Sequence, residues 1–413
     1  MKNNSSAISK SDAGLSRLIN KETKRQQETL NLIASENFAP VPVRELVGSV
    51  LANKYSEGYP GRRYYPGNAV VDEIEVLAQR RALAAFKLGS NWRANVQPYS
   101  GSPANLAVYL GLMKPGEKLL GMALSAGGHL THGHKVNASG IIFKSVSYGV
   151  DPKTGLIDYE EVERIAKREK PKIIVSGLTA YPRTIDFKKF GAIAEKVGAW
   201  HLADISHIAG LVAAGLHQSP FHCADVVTTT THKILRGPRG AVIFAKKELA
   251  EKIDRAVFPG LQGGPHDNVT AAIAYTFGQA ATAGYKNYAK LVLENAKALA
   301  RVLHKEGFTL ATGGTDNHLL LLDLRPLGLS GQEAERTLER AGIIANRNSL
   351  PGDTSPFKPS GIRLGTPALT TRGLKPHDMA RVARWISRLL IGDENLGKVG
   401  REVKNFLIKY PIA

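Results

Sequence analysis

The hydrophobic pattern changes twice along the chain, and the changes divide it into three parts. Over residues 12–32, apolar residues recur at helical spacing among many charges, which predicts an amphipathic helix. From about residue 95 to 245, short β-branched apolar runs alternate with helical segments, which predicts a mostly parallel sheet covered by helices. A long helix from about Tyr285 then opens a region of mixed strands and helices.

These changes predict the domain organisation. We expect an N-terminal helical arm over residues 1–52, a large α/β domain over 53–284 and a small C-terminal α+β domain over 285–413. A chain of 413 residues is too long for one simple core. Residues 55–67 are too rich in Gly, Pro, Tyr and Arg for a regular element, and we interpret them as a binding loop.

A predicted strand that ends in a lysine is the most informative stretch. Residues 226–231 are all β-branched, which favours a strand, and His232 and Lys233 follow directly. The pattern fits a surface lysine beyond a strand end. It fits equally a lysine in an apolar pocket, where the amine loses its charge and forms Schiff bases with carbonyl substrates or pyridoxal 5'-phosphate (PLP).

Other polar residues follow the ends of predicted strands. Asp204 ends the strand predicted over 200–204, and His207 follows it. Since the carboxyl ends of parallel strands meet at one crevice, we expect both residues to lie near Lys233. Ser100, Gly101 and Ser102 precede a predicted helix, whose free amides would offer a seat for phosphate.

The net charge of the chain suggests nucleic-acid binding as an alternative function, but the distribution of the charges does not favour it. The formal charge of +19 indicates anionic partners, nucleic acid among them. The basic residues, however, lie in short clusters interleaved with Asp and Glu, and no nucleic-acid motif accompanies them. RNA binding is therefore retained only as a second or alternative activity.

Composition also bears on compartment and metal content. No apolar run approaches the length of a membrane helix, and residues 1–11 lack the apolar core of a secretory signal. The single cysteine, Cys223, suits a reducing compartment, so we expect a cytoplasmic protein without membrane contact. His129, His132 and His134 lack the spacing of helical metal ligands, and we expect no metal.

Several segments resemble the serine hydroxymethyltransferase family, PLP enzymes of fold type I, the aspartate-aminotransferase-like fold. The similar segments are residues 32–37, 53–61, 95–98, 100–102, 127–133, 204–211, 228–239, 258–265, 314–318 and 360–367. They span the chain almost from end to end. The resemblance implies a mostly parallel mixed sheet covered by helices, with a smaller C-terminal α+β domain.

The resemblance also implies an activity and its cofactor. Enzymes of this family reversibly transfer the hydroxymethyl carbon of L-serine to tetrahydrofolate, giving glycine and 5,10-methylenetetrahydrofolate. Lys233 stands where the family lysine holds PLP as an internal aldimine, Asp204 would pair with the pyridinium nitrogen, and His129 would stack on the ring. The residues implied to bind the cofactor are Ser100, Gly101, Ser102, His129, Thr179, Asp204, His207, His232 and Lys233, with Gly263 and Gly264 from the partner subunit.

The substrate sites follow from the same resemblance. Arg363 would bind the substrate carboxylate, because a guanidinium donates two parallel hydrogen bonds, and Ser35 would lie beside it. Tyr55, Glu57 and Tyr65 would contact the substrate, with Tyr55 and Glu57 coming from the partner of a homodimer. The residues implied in catalysis are Lys233, Glu57, Tyr65, Asp204, His129 and Thr230. Those implied to bind folate are Tyr64, Leu124, Gly128, Leu130 and Asn348.

Some positions depart from the family pattern. Pro66 replaces a glycine, Ala69 and Val70 replace an acidic and an aromatic residue, and Ile234 replaces the Thr or Ser that follows the lysine. These changes leave open a second activity on the same scaffold. That alternative is a folate-independent aldolase that cleaves threonine-like β-hydroxy amino acids.

Overall fold

The computed structural model of the protein describes residues 5–353, 355, 358–392 and 394–412. The N-terminal arm contains α1 (Ser5–Ser11), α2 (Ala13–Glu28), β1 (Leu30–Asn31) and α3 (Val41–Val47). A short hairpin of β2 (Gly58–Tyr59) and β3 (Arg62–Arg63) follows. No helix within the described ranges is long and apolar enough to cross a bilayer.

The central part of the chain alternates strands and helices. Its elements are α4 (Ala69–Ala85), β4 (Trp92–Asn95), α5 (Gly101–Leu112), β5 (Lys118–Met122), α6 (Ala138–Ile142), β6 (Lys144–Tyr148), α7 (Tyr159–Glu169), β7 (Ile173–Gly177), α8 (Phe187–Val197), β8 (Trp200–Asp204), α9 (Ala209–Ala213), β9 (Val226–Thr230), β10 (Ala241–Lys246), α10 (Lys247–Arg255) and α11 (Asp267–Ala280).

In the C-terminal part, strands and helices follow each other less regularly. Its elements are α12 (Ala283–Lys305), β11 (Thr309–Leu310), β12 (Leu319–Asp323), α13 (Gly331–Arg340), β13 (Ile343–Ile344), β14 (Asn346–Asn348), β15 (Gly361–Gly365), α14 (Pro367–Thr371), α15 (Met379–Leu390) and α16 (Leu396–Leu407).

A mixed sheet with strand order β4-β10-β9-β8-β7-β5-β6 forms the centre of the described chain. Strand β10 runs antiparallel to both neighbours, and the other pairs are parallel. Strands β7 and β9 are buried throughout, which explains their continuous runs of apolar and β-branched residues. The sheet confirms the predicted fold class, and β10 pairs with β9 as its antiparallel neighbour.

The C-terminal region has its own antiparallel sheet, in the order β11-β12-β15-β14. Strand β1 of the arm pairs in parallel with β13, so the arm docks on this region. Helix α12 joins the two cores, because Tyr285 packs in the core of the central sheet and Leu303 packs in the C-terminal core. The boundary at residue 285 falls at the start of this helix and stays a prediction.

Some local predictions are wrong. The apolar and β-branched residues of 141–146 predict a strand, but the strand begins only at Lys144. Residues 138–142 instead form the short helix α6, which Asn137 caps by accepting a hydrogen bond from Ser139 N. Residues 55–67 contain the hairpin β2–β3 rather than a wholly irregular loop. At Gly58, φ is +96° and an added Cβ would lie 2.3 Å from the Arg62 carbonyl oxygen, so only glycine allows this pairing.

Candidate active site

A cavity of about 330 Å³ lies at the carboxyl edge of the central sheet, and we call it the lysine cavity. It is lined by Ser35, Glu36, Ser100, Gly101, Ser102, Asn105, His129, Leu178, Thr179, Asp204, Ser206, His207, Thr230, His232, Lys233, Arg239 and Arg363. A larger cavity of about 610 Å³, between the ends of α4, α9 and α11, contains none of the predicted site residues. The candidate site is therefore identified by the residues that line the cavity and not by the cavity volume.

Lys233 lies just beyond the carboxyl end of β9 and is 8% exposed. Burial lowers the pKa of its amine to about 8, although the nearby charge of Asp204 opposes this effect. A larger fraction of this amine is therefore neutral, and nucleophilic, at neutral pH than for an ordinary lysine. The Lys233 carbonyl accepts a hydrogen bond from Asn37 Nδ2 at 3.0 Å, which fixes the backbone here.

Asp204, at the carboxyl end of β8, is held as a carboxylate in the buried cavity. Burial alone would raise its pKa, but hydrogen bonds and nearby imidazoles hold the pKa well below the usual range. Its Oδ2 accepts a hydrogen bond from Asn105 Nδ2 at 2.8 Å and lies 3.2 Å from His132 Nε2. Its Oδ1 accepts a hydrogen bond from Ser206 N at 3.0 Å. The result is a fixed negative charge at the bottom of the site.

Sequence reasoning missed two of these partners and one cationic residue of the cavity wall. Asn105 was detectable as an amide in an otherwise apolar helix, because a buried polar side chain needs a partner. Nothing local in the sequence pairs His132 with Asp204, since the two residues are 72 positions apart. Arg239, in the turn after Lys233, also lines the cavity.

The amino end of α5 provides hydrogen-bond donors suited to a phosphate. Ser100 is the N-cap, but its side chain makes no capping hydrogen bond, so the hydroxyl is available to a ligand. A Cβ at Gly101 would lie 2.7 Å from Thr230 Cγ2, so the helix can approach the sheet only with glycine here. Among the described residues, the buried atoms His232 Nδ1 and Thr179 Oγ1 have no hydrogen-bond partner. This donor set fits the phosphate and ring substituents of PLP.

The histidines of the cavity are neutral imidazoles at neutral pH. Burial lowers the pKa of His129 to about 4 and that of His232 to about 3, and it holds the pKa of His207 well below the usual range. His207 Nδ1 lies 3.3 Å from Nε2 of His318, and the two rings are stacked. Neutral, partly buried rings can contact a planar cofactor without the cost of burying another charge.

Arg363, on β15, brings a cation to the opposite wall of the cavity. It is 7% exposed, and burial lowers the pKa of its guanidinium to about 10. Its Nη1 donates to the Thr179 carbonyl at 2.8 Å and its Nε to Asn346 Oδ1 at 3.1 Å. Within the described part of the chain, no carboxylate forms an ion pair with it. Because a buried unpaired cation is costly, this guanidinium is suited to pair with an anion such as a carboxylate.

A second group of predicted site residues lies outside the lysine cavity. We call Tyr55, Glu57, Tyr65, Gly263 and Gly264 the tyrosine cluster. Tyr55 Oη donates to Glu57 Oε1 at 3.2 Å, and the Tyr55 and Tyr65 rings meet edge to face with centroids 5.3 Å apart. A Cβ at Gly263 would lie 3.0 Å from Glu57 Oε1. None of these residues lines the lysine cavity of the same subunit.

The residues implied to bind folate come from three different segments of the chain. Leu124, Gly128 and Leu130 share the loop after β5, whereas Asn348 lies on β14 and Tyr64 packs against the Phe258 ring. Leu124 and Leu130 are exposed. A Cβ at Gly128 would lie 2.1 Å from the Met122 carbonyl oxygen, so this loop requires glycine.

Ile234, the departure next to the lysine, does not face the cavity. Its side chain is 1% exposed and belongs to the core of the central sheet. A Cβ at Gly210 would lie 2.5 Å from Ile234 Cγ2, so the isoleucine packs on this glycine of α9. Ala69 and Val70 form the start of α4, where Val70 is largely exposed, and Pro66 lies just before the helix.

The sequence matches known proteins along nearly its whole length. A family model for serine hydroxymethyltransferase matches residues 8–386. The serine hydroxymethyltransferase of Desulfotalea psychrophila is 52% identical over 409 residues, covering 98% of this chain and 95% of that protein. That of Sorangium cellulosum is 52% identical over 98% of this chain and 96% of its own, and that of Acidothermus cellulolyticus is 50% identical over 97% and 96%. Because each alignment covers nearly the whole of both sequences, the chain belongs to the serine hydroxymethyltransferase family.

Proposed function

We propose that the protein reversibly transfers the hydroxymethyl carbon of L-serine to tetrahydrofolate, giving glycine and 5,10-methylenetetrahydrofolate, with PLP as its cofactor. One observation carries the proposal. A single cavity holds an amine of lowered pKa at Lys233, a fixed carboxylate at Asp204 and, at Arg363, a guanidinium that pairs with no carboxylate of the described residues. This combination suits an amino acid substrate and a cofactor with a basic ring nitrogen.

The residues that would hold PLP have distinct tasks. When bound, PLP supplies an electron sink for bonds at the substrate Cα. Lys233 provides the amine that attaches the cofactor, and Asp204 keeps a proton on the ring nitrogen. Ser100, Gly101 and Ser102 bind the phosphate with backbone amides and hydroxyls. The remaining cofactor contacts are assigned to His129, Thr179, His207, Thr230 and His232.

The substrate would be held by its carboxylate and its hydroxyl. Arg363 binds and orients the carboxylate, with Ser35 beside it, and this orientation determines which Cα bond breaks. Glu57 exchanges a proton at the substrate hydroxyl, and Tyr55 and Tyr65 position the hydroxymethyl group. Tetrahydrofolate would bind next to them, and its contacts are assigned to Tyr64, Leu124, Gly128, Leu130 and Asn348.

We also propose a homodimer in which each site uses two subunits. The exposed tyrosine cluster of one subunit would complete the lysine cavity of its partner, with Gly263 and Gly264 reaching the partner's phosphate site. The lone cysteine suits a reducing compartment, and cytoplasm is the location we propose.

The reaction is tested with the purified protein supplied with PLP. We expect formation of glycine and methylenetetrahydrofolate from serine to require tetrahydrofolate. Serine or threonine cleavage that is unchanged without tetrahydrofolate would support the folate-independent aldolase instead. The variant Lys233→Ala should lose both activity and the absorbance of attached PLP. Lys290→Ala, whose side chain is 67% exposed, is the matched control and should keep both.

A further inference from the structure

Asn346 and Arg363 are directly opposite each other on neighbouring antiparallel strands. The register of β14 and β15 pairs these two residues. Directly opposed residues of an antiparallel pair place their side chains on the same face, close enough to interact. Because the strand pairing sets this relation, Asn346 is held beside the guanidinium by the backbone of the sheet.

The Asn346 amide can be oriented in only one way at this contact. A guanidinium has five N–H donors and no acceptor, so only the amide oxygen can face it. Asn346 Oδ1 accepts from Arg363 Nε at 3.1 Å, and Asn346 Nδ2 donates to the Arg347 carbonyl at 2.9 Å. Asn346 does not line the lysine cavity, so it lies behind the arginine, away from the bound substrate.

These contacts determine which donors of Arg363 remain for a ligand. The Nε proton goes to Asn346, and one Nη1 proton goes to the Thr179 carbonyl. The second Nη1 proton and both Nη2 protons stay available. A carboxylate must therefore bind to the Nη1 and Nη2 amines, in the plane that Asn346 and Thr179 impose on the guanidinium.

We propose that Asn346 is a positioning residue that makes Arg363 selective for substrates with a carboxylate. This inference rests on the proposed function, in which Arg363 binds the carboxylate of serine and glycine. Without the Asn346 oxygen, Nε is left buried without its acceptor and the guanidinium plane can rotate. The two donors then no longer match the two oxygens of a carboxylate.

The test compares two ligands that differ only at the carboxylate. Glycine and glycinamide are titrated calorimetrically into the PLP-loaded protein and into its Asn346→Ala variant. Because a charge-assisted hydrogen bond is lost, we expect the Kd of glycine to rise about tenfold. The Kd of glycinamide should change by less than about twofold, because its neutral amide gains little from an oriented cation. The PLP absorbance per subunit should stay constant.

A second variant tests the same contact with a residue of similar size. Asn346→Asp places a negative charge beside Arg363, which competes with the substrate carboxylate. We expect this variant to raise the Kd of glycine further than Asn346→Ala does, while glycinamide still binds.

Arg347→Ala is the matched control, since it changes the same strand at an exposed side chain that pairs with Glu335. It should leave the Kd of both ligands unchanged. Equal weakening of glycine and glycinamide in the Asn346 variants would overturn the inference, as would unchanged binding of glycine. If the parent protein binds glycine but transfers no carbon to tetrahydrofolate, the proposed function fails and the role of Asn346 is judged on the binding ratios alone.

Discussion

The lysine cavity and the tyrosine cluster contain residues of the same proposed site, but they differ in how the fold treats them. In the cavity, Lys233 is 8% exposed, and Asp204 and Arg363 are each 7% exposed. In the cluster, Tyr55 is 57% exposed and Tyr65 is 45% exposed. Within one chain, the first region is thus buried and the second is largely open to solvent.

The exposed region is nevertheless anchored from beneath. Arg63 Nη1 donates to the carbonyls of Ser56 and Gly58, on either side of Glu57. Its Nη2 donates to the buried Glu75 at 2.6 Å, and its Nε donates to Asp72 at 2.8 Å. The exposed side chains of the cluster therefore belong to a well-anchored segment. They point outward from a rigid backbone, which suits their proposed action in a partner subunit.

The largest expected effect tests whether each site combines the lysine cavity of one subunit with the tyrosine cluster of the other. Lys233→Ala and Glu57→Gln should each lower the rate of serine-dependent transfer by at least about 10²-fold. Heterodimers that carry one subunit of each variant should recover about half of the wild-type activity, because one of their two sites is intact. The two variants are co-expressed with different affinity tags, and the heterodimers are purified through both tags in turn.

The control for this recovery uses two changes in the same region. Heterodimers of Lys233→Ala with Asp204→Asn should stay inactive, because both sites then contain a damaged lysine cavity. If Lys233→Ala and Glu57→Gln also fail to complement each other, the two regions serve the same subunit and the proposed sharing is wrong.

The second effect tests the anchoring of the tyrosine cluster. Burial already raises the pKa of Glu75, and Arg63→Ala would leave this carboxylate buried without its cation. We expect the free energy of unfolding, measured by urea denaturation, to fall by about 3–5 kcal/mol. Arg255→Ala removes an exposed ion pair with Glu251 and should cost less than about 0.5 kcal/mol. Equal losses in the two variants would contradict the anchoring role.

The third effect probes the burial of the cavity through pH. Burial disfavours the ammonium form of Lys233 and lowers its pKa from 10.5 to about 8. In protein stripped of PLP, the rate of PLP attachment should rise about tenfold per pH unit and level off near pH 8, as the neutral amine becomes the main form. Stopped-flow absorbance measures this rate. A rise that continues to pH 10 would show an ordinary exposed lysine.

The variant Asp204→Asn tests the direction in which this pH profile shifts. The negative charge of Asp204 raises the pKa of Lys233, so Asp204→Asn should move the levelling point to lower pH. A shift to higher pH would contradict the electrostatic contact between these two groups.

The smallest effect concerns the core behind the cavity. Ile234→Thr buries a hydroxyl among apolar side chains, and we expect the free energy of unfolding to fall by about 1–2 kcal/mol. The KM values for serine and tetrahydrofolate should stay within about twofold, because the side chain does not line the cavity. Ile234→Val, which should cost about 1 kcal/mol, is the control for volume alone. A marked change in the KM for tetrahydrofolate would show that position 234 acts on the site.

Much of the fold could be predicted because its signals are local. The β-branched run before Lys233 forms a strand because those side chains restrict their own backbone, whatever the rest of the chain does. Parallel strands covered on both faces must be apolar throughout, so the alternation of such runs with amphipathic helices determined the α/β class. The hairpin β2–β3 was missed because it depends on glycines with positive φ within a segment that has no periodic pattern.

The sequence alone predicted which residues form the proposed site, through segments that resemble one family and through polar residues at strand ends. The tertiary structure alone decided their surroundings. It brings His132 and Asn105 to Asp204 and buries Ile234 in the core. It also gives Arg363 only neutral oxygen acceptors among the described residues and places the tyrosine cluster outside the cavity. These features depend on burial and on contacts between distant residues, and the charge of a group such as Lys233 is set by that burial and not by its neighbours in sequence.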